Sequence, residues 1–261
     1  MIPIHPALLA AVLLGALSAP AAHAAVITFA QYTEQRTAAG GNLQFSVSGG
    51  TANLHAYNQA AGDPVFFSFL GLAGLPADLL TPQSAVLRFN TGTGAATMTA
   101  AQSTSVSNVG TMLSQPFSQP FTLSFTRSAD YIYQGVDYGR NLLTVNVGAA
   151  ASTPAIAASP NAHSAAMSFD NTNFLVSFTS DFLTFKPGAT EDGSLSFSAA
   201  TPGFSKGTKF LKAFRADSAG TFDSDPVPIG VILPIPEPLS AALLGSGLLG
   251  IALARRRSKS E

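Results

Sequence analysis

The sequence predicts an all-β protein, a single β-sandwich of jelly-roll type, placed between two terminal segments of different character. Three observations predict this fold. Apolar and polar residues alternate in many short runs, and Gly, Pro, Asn and Asp separate those runs. Phenylalanine is the bulky core residue, with 19 Phe and no Trp in 261 residues.

Ten runs are predicted to be strands. In the four clearest, apolar residues occupy every second position and would face one side of a sheet, with Ser, Thr or Gln on the other. These four are NLQFSVSG at 42–49, FTLSFTRS at 121–128, FLVSFTS at 174–180 and GSLSFSA at 193–199. The other six are VITFAQY, PVFFSFLG, AVLRFNTG, NLLTVNVG, SAAMSFD and TKFLKAFRA.

Two segments interrupt the strand pattern. LAGLPADLL at 72–80 is helix-like and short. GAAASTPAIAASPNAHSAA at 148–166 is low in charge and rich in Ala, Ser and Pro, so it is either a linker between two halves or a long loop within one sandwich. The loop is the preferred interpretation, because the strand pattern resumes unchanged after it. A single β domain is therefore predicted over residues 25–230.

Residues 1–24 have the features of a secretory signal peptide. An apolar core at 7–17 is followed by Pro20, and Ala22 and Ala24 occupy the −3 and −1 positions of a signal-peptidase site. The apolar core is too short to span a bilayer. Cleavage is therefore predicted between Ala24 and Ala25, and the protein is expected to be exported.

Residues 231–261 predict a proline-rich stalk at 231–238, then a transmembrane helix with a basic tail at 239–261. The uncharged run from Leu239 to Ala254 would be roughly 24 Å long as a helix, a short span for a bilayer core of about 30 Å. The arginines that follow it would stay in the cytoplasm. Prolines before it keep the chain extended and open to a processing enzyme.

The order of these features, Pro236-Glu237-Pro238, an apolar helix, then Arg255-Arg256-Arg257, resembles the PEP-CTERM sorting signal of Gram-negative bacteria. The resemblance implies that the chain is a substrate of an exosortase, a membrane processing enzyme. It also implies transient insertion in the cytoplasmic membrane with the body in the periplasm. The final destination would be the cell surface or the extracellular matrix, in connection with exopolysaccharide or biofilm. The alternative is an ordinary C-terminal anchor with a proline-rich stalk.

The body of the chain predicts no catalytic site, metal or other cofactor. There is no cysteine, and only His55 and His163 remain after signal removal. Nine Lys and Arg against twelve Asp and Glu at 25–235 give a mildly acidic body, so no nucleic-acid partner is predicted. Paired carboxylates could catalyse glycoside hydrolysis, and Asp217, Asp223 and Asp225 could hold calcium. Glu191 and Asp192 are better explained as turn residues, DSAGTFDSDP at 217–226 as a hairpin or a strand end, and the calcium candidates as solvated turn residues. The pairs considered are Asp130 with Asp137, Glu191 with Asp192, and Asp223 with Asp225.

One run, DYIYQGVDYGR at 130–140, is a candidate glycan contact. It holds Tyr131, Tyr133 and Tyr138, three of the five tyrosines of the chain. On a strand the first two would share a face, and Asp130, Asp137 and Arg140 would supply hydrogen bonds to a stacked sugar. The alternative is a hairpin around the glycine whose tyrosines only cover the sheet.

Three classes of function remain. The preferred one is a non-enzymatic structural or interaction protein of the cell surface or matrix. A carbohydrate-binding module and a secreted polysaccharide hydrolase are the alternatives. The preference follows from the tail, which resembles a surface-sorting signal, and from the lack of a reactive side-chain cluster in the body.

Overall fold

The structure, a computed structural model, describes residues 26–35, 41–48, 51–90, 112–117, 120–148 and 154–229. The predicted signal peptide, with its cleavage residues Ala22, Ala24 and Ala25, lies outside the described residues. So do the stalk and tail with Pro236, Glu237, Pro238, Arg255, Arg256 and Arg257. In the part of the chain that is described, no helix is long and apolar enough to cross a membrane.

The all-β prediction is confirmed. Within the described ranges the chain forms seventeen strands and one short 3-10 helix, Ala77–Leu80. The strands are β1 (Ile27–Glu34), β2 (Leu43–Ser48), β3 (Thr51–Ala56), β4 (Asp63–Phe69), β5 (Gln83–Asn90), β6 (Leu113–Pro116), β7 (Phe121–Thr126), β8 (Ile132–Tyr133), β9 (Val136–Asp137), β10 (Asn141–Gly148), β11 (Ala155–Ala158), β12 (Ala165–Asp170), β13 (Leu175–Thr179), β14 (Leu183–Thr184), β15 (Asp192–Thr201), β16 (Phe214–Ser224) and β17 (Val227–Pro228).

Thirteen of these strands belong to one antiparallel sheet. Its main path runs β13-β10-β7-β5-β4-β1-β16-β15-β12-β11-β6, and the β2–β3 hairpin joins it through β16. Two small ladders, β8–β9 and β14–β17, stand apart from the path. Strand β16 is the hub, because it pairs with β1, β15 and β2.

The sheet curls so that strands far apart in its order face each other. Strands β13 and β1 are five spacings apart on the path, which would be roughly 24 Å in a flat sheet. Yet the rings of Phe29 on β1 and Phe178 on β13 lie 5.6 Å apart, centre to centre. Tyr32 on β1 likewise contacts Phe125 on β7 at 4.7 Å. The aromatic core lies inside this curl.

Period-two alternation explains which residues enter the core. Along β7 the buried positions are Phe121, Leu123 and Phe125, and the residues between them are half-buried. On β4 the adjacent residues Phe66 and Phe67 divide between the two faces, and only Phe67 is fully buried. The predicted apolar face of these strands is therefore the face that packs into the core.

Strand β16 differs from the prediction at both ends. The predicted strand TKFLKAFRA at 208–216 becomes regular only from Phe214, and a lone bridge joins Lys206 to Leu211 before it. The stretch DSAGTFDSDP at 217–226, expected to be a hairpin or a strand end, is the second half of β16 and the two residues that follow it. Its Gly220 is needed there, because an added Cβ would lie 2.6 Å from Cε1 of Tyr32. Gly220 is therefore explained by the close approach of the Tyr32 ring and not by a turn.

The two irregular segments also take part in the fold. In LAGLPADLL only Ala77–Leu80 is helical, and its Leu79 is buried. The segment 148–166 contributes β11 and the start of β12 to the sheet, where β11 pairs with both β6 and β12. Because these strands belong to the sheet, the segment is neither a linker between two halves nor an irregular loop.

Candidate functional site

The run DYIYQGVDYGR forms a hairpin between β7 and β10. Gln134 and Gly135 make its turn, with φ of 51° and 81°, which is the left-handed backbone that two-residue hairpin turns require. The ladder extends past β8 and β9, because Tyr131 N–H donates to the Gly139 carbonyl at 2.8 Å and Tyr138 N–H donates back to the Tyr131 carbonyl at 2.9 Å. We call residues 130–140 the tyrosine hairpin.

The structure brings the three tyrosines together in unlike environments. Tyr131 is 6% exposed, and its hydroxyl donates to Asp78 Oδ1 at 2.7 Å. The Tyr133 ring stacks on it at 6.3 Å and remains 40% exposed. Tyr138 lies 6.1 Å from Tyr131 and is parallel to the buried ring of Phe182. Tyr131 is therefore anchored, and Tyr133 is the ring most open to a ligand.

A cavity of about 370 Å³ opens between the tyrosine hairpin and the 3-10 helix. Its walls are mainly apolar and aromatic, and Ile229, the last described residue, also contributes to them. Binding sites for ring-shaped ligands combine such walls with a few fixed polar groups. Other lining residues are Leu75, Pro76, Leu79, Tyr131, Tyr133 and Tyr138.

The three charged side chains of the tyrosine hairpin have partners within the protein. Arg140 Nε pairs with Asp130 Oδ1 at 2.8 Å, and both side chains are about half exposed. Asp137 Oδ1 accepts the Gly139 N–H at 2.9 Å. Asp130 and Asp137, which were considered as a carboxylate pair, therefore have separate structural partners.

Arg127 and Asp78 both contact the Tyr131 side chain. The Arg127 guanidinium lies 4.9 Å from the ring centre and donates to Gln83 Oε1 at 2.7 Å. Burial of the phenol, joined by the hydrogen bond and charge of Asp78, raises the pKa of Tyr131. The phenol therefore stays protonated near neutral pH and holds its bond to Asp78.

A row of three aspartates crosses the sheet, and the sequence did not predict it. Asp170 on β12 lies opposite Asp192 on β15, which lies opposite Asp223 on β16. The row ends at β1, where the Thr28 hydroxyl donates to Asp223. Adjacent Glu191 and Asp192, considered as a pair from their spacing, have different burial, and Glu191 is the buried one. Cross-strand register forms this row, so sequence spacing could not reveal it.

The strand positions also test the calcium site considered at Asp217, Asp223 and Asp225. Asp223 and Asp217 lie within β16, and Asp225 pairs with Lys186 Nζ at 2.7 Å. The solvated-turn interpretation is therefore wrong for Asp217 and Asp223, whereas a strand end agrees with the position of Asp223. Among the described residues, no group of three or more His, Cys, Asp and Glu is placed to hold a metal ion.

The aspartates of the row have pKa values shifted in opposite directions. Burial, joined by the negative charges of Asp170 and Asp223, raises the pKa of Asp192. The side-chain hydrogen bond from Asn173, together with backbone N–H bonds from Thr172 and Asn173, lowers the pKa of Asp170. Ionised Asp192 therefore opposes folding, and ionised Asp170 favours it.

Two isosteric substitutions in this row are expected to change stability with opposite signs. Folded Asp192 holds its proton more tightly than the unfolded chain, so its ionisation costs stability as the pH rises above the ordinary value of 3.8. Asp192→Asn should therefore raise the free energy of unfolding at pH 7 and change it little at pH 3. Asp170→Asn should lower it at pH 7, because the stability from its ionised form is present above 3.8 and lost in acid.

Urea denaturation of each variant at pH 7 and pH 3 measures both effects. Each variant is the control for the other, since both replace one carboxylate of the same row by an amide of the same shape. A change of the same sign at pH 7 in both variants would contradict the assignment.

The two histidines are hydrogen-bonded to the protein. His55 is 8% exposed, and its Nδ1 and Nε2 lie 2.9 Å from the Ala56 carbonyl and 3.1 Å from Ser46 Oγ. His163 Nδ1 donates to the Ala200 carbonyl at 2.6 Å. Neither histidine is on a solvent-facing strand position: His55 on β3 is buried with partners on β2 and β3, and His163 is exposed at a bend before β12.

A Gly-x-Ser-x-Gly pattern is present at Gly203, Ser205 and Gly207. In hydrolases this pattern makes a nucleophile elbow on a strand–turn–helix unit. Here Ser205 precedes the lone bridge between Lys206 and Leu211, and no helix follows it among the described residues. The pattern therefore lacks the structural context of an elbow.

These observations leave the tyrosine hairpin and its cavity as the candidate site that sequence and structure share. No protein-family model, curated protein or solved structure matches this chain.

Proposed function

We propose that the chain is an exported protein of the cell surface or extracellular matrix, sorted by an exosortase, with a structural or interaction role linked to exopolysaccharide. The observation that carries the proposal is the order Pro236-Glu237-Pro238, apolar run, Arg255-Arg256-Arg257 at the end of the chain. An N-terminal segment with signal-peptide features agrees with it. The chain would be a substrate of the processing enzyme and would cross the cytoplasmic membrane only transiently.

The body between these ends is proposed to be one jelly-roll-like β-sandwich over residues 25–230. Ring contacts across the curled sheet support this fold, because they bring β13 and β7 onto β1 and β16. A cysteine-free body must rely on its core for stability. The continuous aromatic core of the described residues supplies that stability.

Mass spectrometry of the cell-surface fraction tests the sorting step. Protein released by an exosortase should lack its C-terminal helix and basic tail. If surface protein still extends to Glu261 in cells with a working exosortase, the tail is an ordinary membrane anchor and not a processed signal.

A carbohydrate-binding role of the body is the second candidate, and the cavity at the tyrosine hairpin favours it. Tyr133 presents an exposed ring beside a recess large enough for a small ligand. Tyr131 stacks on that ring, and Tyr131 is itself held by the Tyr138 ring and by its hydrogen bond to Asp78. Exopolysaccharide is the ligand that the proposed destination would supply.

Tyr133→Ala is expected to reduce retention of the full chain on exopolysaccharide severalfold. Loss of one stacked ring removes about 1 kcal/mol of contact. Affinity electrophoresis in gels that contain the polysaccharide measures the retention. Tyr131 is unsuitable for truncation, because its ring is buried and the fold would change with it.

Phe66→Ala is the matched control, since Phe66 is an exposed aromatic residue on β4 that does not line the cavity. Its retention should equal that of the unchanged chain. Equal retention of the Tyr133 variant would show that the tyrosine hairpin only covers the sheet.

A further inference from the structure

Residues 205–212 form another short hairpin, between β15 and β16, which we call the lysine hairpin. The lone bridge between Lys206 and Leu211 closes it. Across its turn, Gly207 N–H donates to the Phe210 carbonyl at 2.7 Å. None of its residues lines the cavity at the tyrosine hairpin. The lysine hairpin is therefore a separate surface of the protein.

The lysine hairpin is fixed to the core on one side. Phe210 and Leu211 are 6% and 5% exposed. Leu211 N–H donates at 3.1 Å to Oε1 of Gln115 on β6, which is fully buried. A Cβ on Gly207 would lie 2.8 Å from the Phe210 carbonyl oxygen, so the turn is closely packed as well. The exposed side chains of the hairpin are therefore carried by a well-anchored backbone.

Those exposed side chains are mainly lysines. Three of the five lysines of the chain, Lys206, Lys209 and Lys212, lie in this hairpin, and all three are exposed. Cγ of Lys212 lies 3.8 Å from the position that a Cβ on Gly207 would take, so the Lys212 stem crosses to the strand next to the turn that carries Lys209. The hairpin thus concentrates positive charge on a body that is mildly acidic as a whole.

No carboxylate pairs with these three lysines in the described part of the chain. The ion pairs of that part join Arg140 to Asp130 and Lys186 to Asp225. Residues 201–214 contain no Asp or Glu, and neither do the segments between residues 26 and 229 that the structure does not describe. The body therefore holds no further acid that could neutralise the hairpin, and its charge can attract an anionic partner.

A shallow groove of about 410 Å³ lies beside the three lysines. Lys209 and Lys212 line it, and its other walls are mainly apolar, with Leu211, Ala213 and Val47 of β2 among them. Val47 is 42% exposed. A groove that combines apolar walls with two cations fits a chain that has apolar faces and carries negative charge.

The groove lacks what two other classes of anionic partner need. A membrane-binding element inserts exposed, large apolar side chains into the bilayer, but the turn carries Thr208 and Lys209, and the large apolar residues of the hairpin are buried. Single-stranded nucleic acid stacks on exposed aromatic rings, but Phe210, the aromatic residue of this groove, is buried. Sugar rings need neither feature, because their C–H faces pack on small apolar side chains.

We propose that the lysine hairpin and its groove bind an acidic polysaccharide, a chain whose sugar units carry carboxylates. The carboxylates pair with the ammonium groups of Lys206, Lys209 and Lys212, and apolar faces of the sugar rings pack on Val47 and Ala213. Each exposed pair contributes little, so retention depends on several pairs along one polymer. Only the choice of a sugar chain over an acidic peptide rests on the proposed link to exopolysaccharide.

Binding of the purified full chain to immobilised polygalacturonate, measured by surface plasmon resonance, tests the proposal. Fully methyl-esterified polygalacturonate is the matched probe, because it has the same backbone without charge. The acidic polymer should bind about tenfold more tightly than the neutral one, and added salt should weaken its binding by screening. Amide hydrogen exchange should slow at residues 205–213 when the acidic polymer is bound.

Lys209→Gln with Lys212→Gln removes the two cations that line the groove and should weaken binding to polygalacturonate about tenfold. The matched control is Arg88→Gln with Lys186→Gln, which removes two exposed cations elsewhere on the body and should bind as the unchanged chain does. Lys209→Arg with Lys212→Arg keeps both charges and should also bind normally. Because all four positions are exposed, circular dichroism should be the same for every variant.

Equal binding of the acidic and neutral polymers would overturn the proposal, and so would equal losses in the groove variant and its control. Tighter, lysine-dependent binding of phosphatidylglycerol vesicles, oligothymidylate or polyglutamate would also overturn it and would assign the hairpin to a membrane, a nucleic acid or an acidic peptide. Release by an exosortase and retention through Tyr133 are separate measurements. Failure of either leaves the lysine hairpin unaffected, and its failure leaves both of them unaffected.

Discussion

Replacing Phe67 by alanine is expected to lower the free energy of unfolding by about 3–5 kcal/mol, the range for a buried phenylalanine. Phe67 is fully buried on β4, and its ring lies 5.2 Å from those of Phe69 and Phe125. Truncation removes these contacts and leaves a cavity in the middle of the curl. Urea denaturation of the full chain measures the loss.

The neighbouring residue is the matched control. Phe66 is 37% exposed on the other face of the same strand, so Phe66→Ala should cost about 1 kcal/mol or less. Both variants exchange phenylalanine for alanine on β4, so the difference between them reports burial and not strand propensity. Equal losses would contradict the register of β4 between β1 and β5.

Changing Pro236-Glu237-Pro238 to three alanines is expected to leave membrane insertion intact and to stop release. In the proposed sorting, insertion would depend on the apolar run and the arginines, whereas processing would need an extended backbone, which prolines favour. The full-length chain should then accumulate in the membrane fraction. Intact-mass measurement of membrane and surface fractions decides between the two outcomes.

Two further variants separate the steps of sorting. Replacing Val231, Ile232 and Leu233 by alanine removes three side chains just before the motif and should leave release unchanged. Replacing Arg255, Arg256 and Arg257 by Asp should disturb orientation instead, because positive charge keeps that end in the cytoplasm. Normal release from the triple-alanine variant of the Pro-Glu-Pro motif would refute a role of that motif in processing.

The strands that could be predicted are those whose signal is local. Phe121, Leu123 and Phe125 alternate with small polar residues, and the pleat alone puts them on one face. Strand β16 was harder to predict, because Asp217, Gly220 and Asp223 are residues typical of turns. Within the sheet, the Tyr32 ring packs against Gly220, and the Thr28 hydroxyl donates to Asp223.

The features of the candidate site also divide into those that follow from local sequence and those that depend on long-range packing. The hairpin at Gln134 and Gly135 follows from turn chemistry, which depends on adjacent residues. The burial of Tyr131 does not, because its partner Asp78 is 53 residues away in the chain. A stretch of three tyrosines thus contains one anchor and one exposed ring, and only packing distinguishes them.

By itself the sequence determined the all-β character of the body, most of its strands and the hairpin that carries the tyrosines, since alternation and turn preferences act over a few residues. The tertiary structure alone decided the aspartate row. Asp170, Asp192 and Asp223 lie side by side because β15 pairs with both β12 and β16. Whether a buried polar group finds a partner depends on such long-range register, which no short stretch of sequence records.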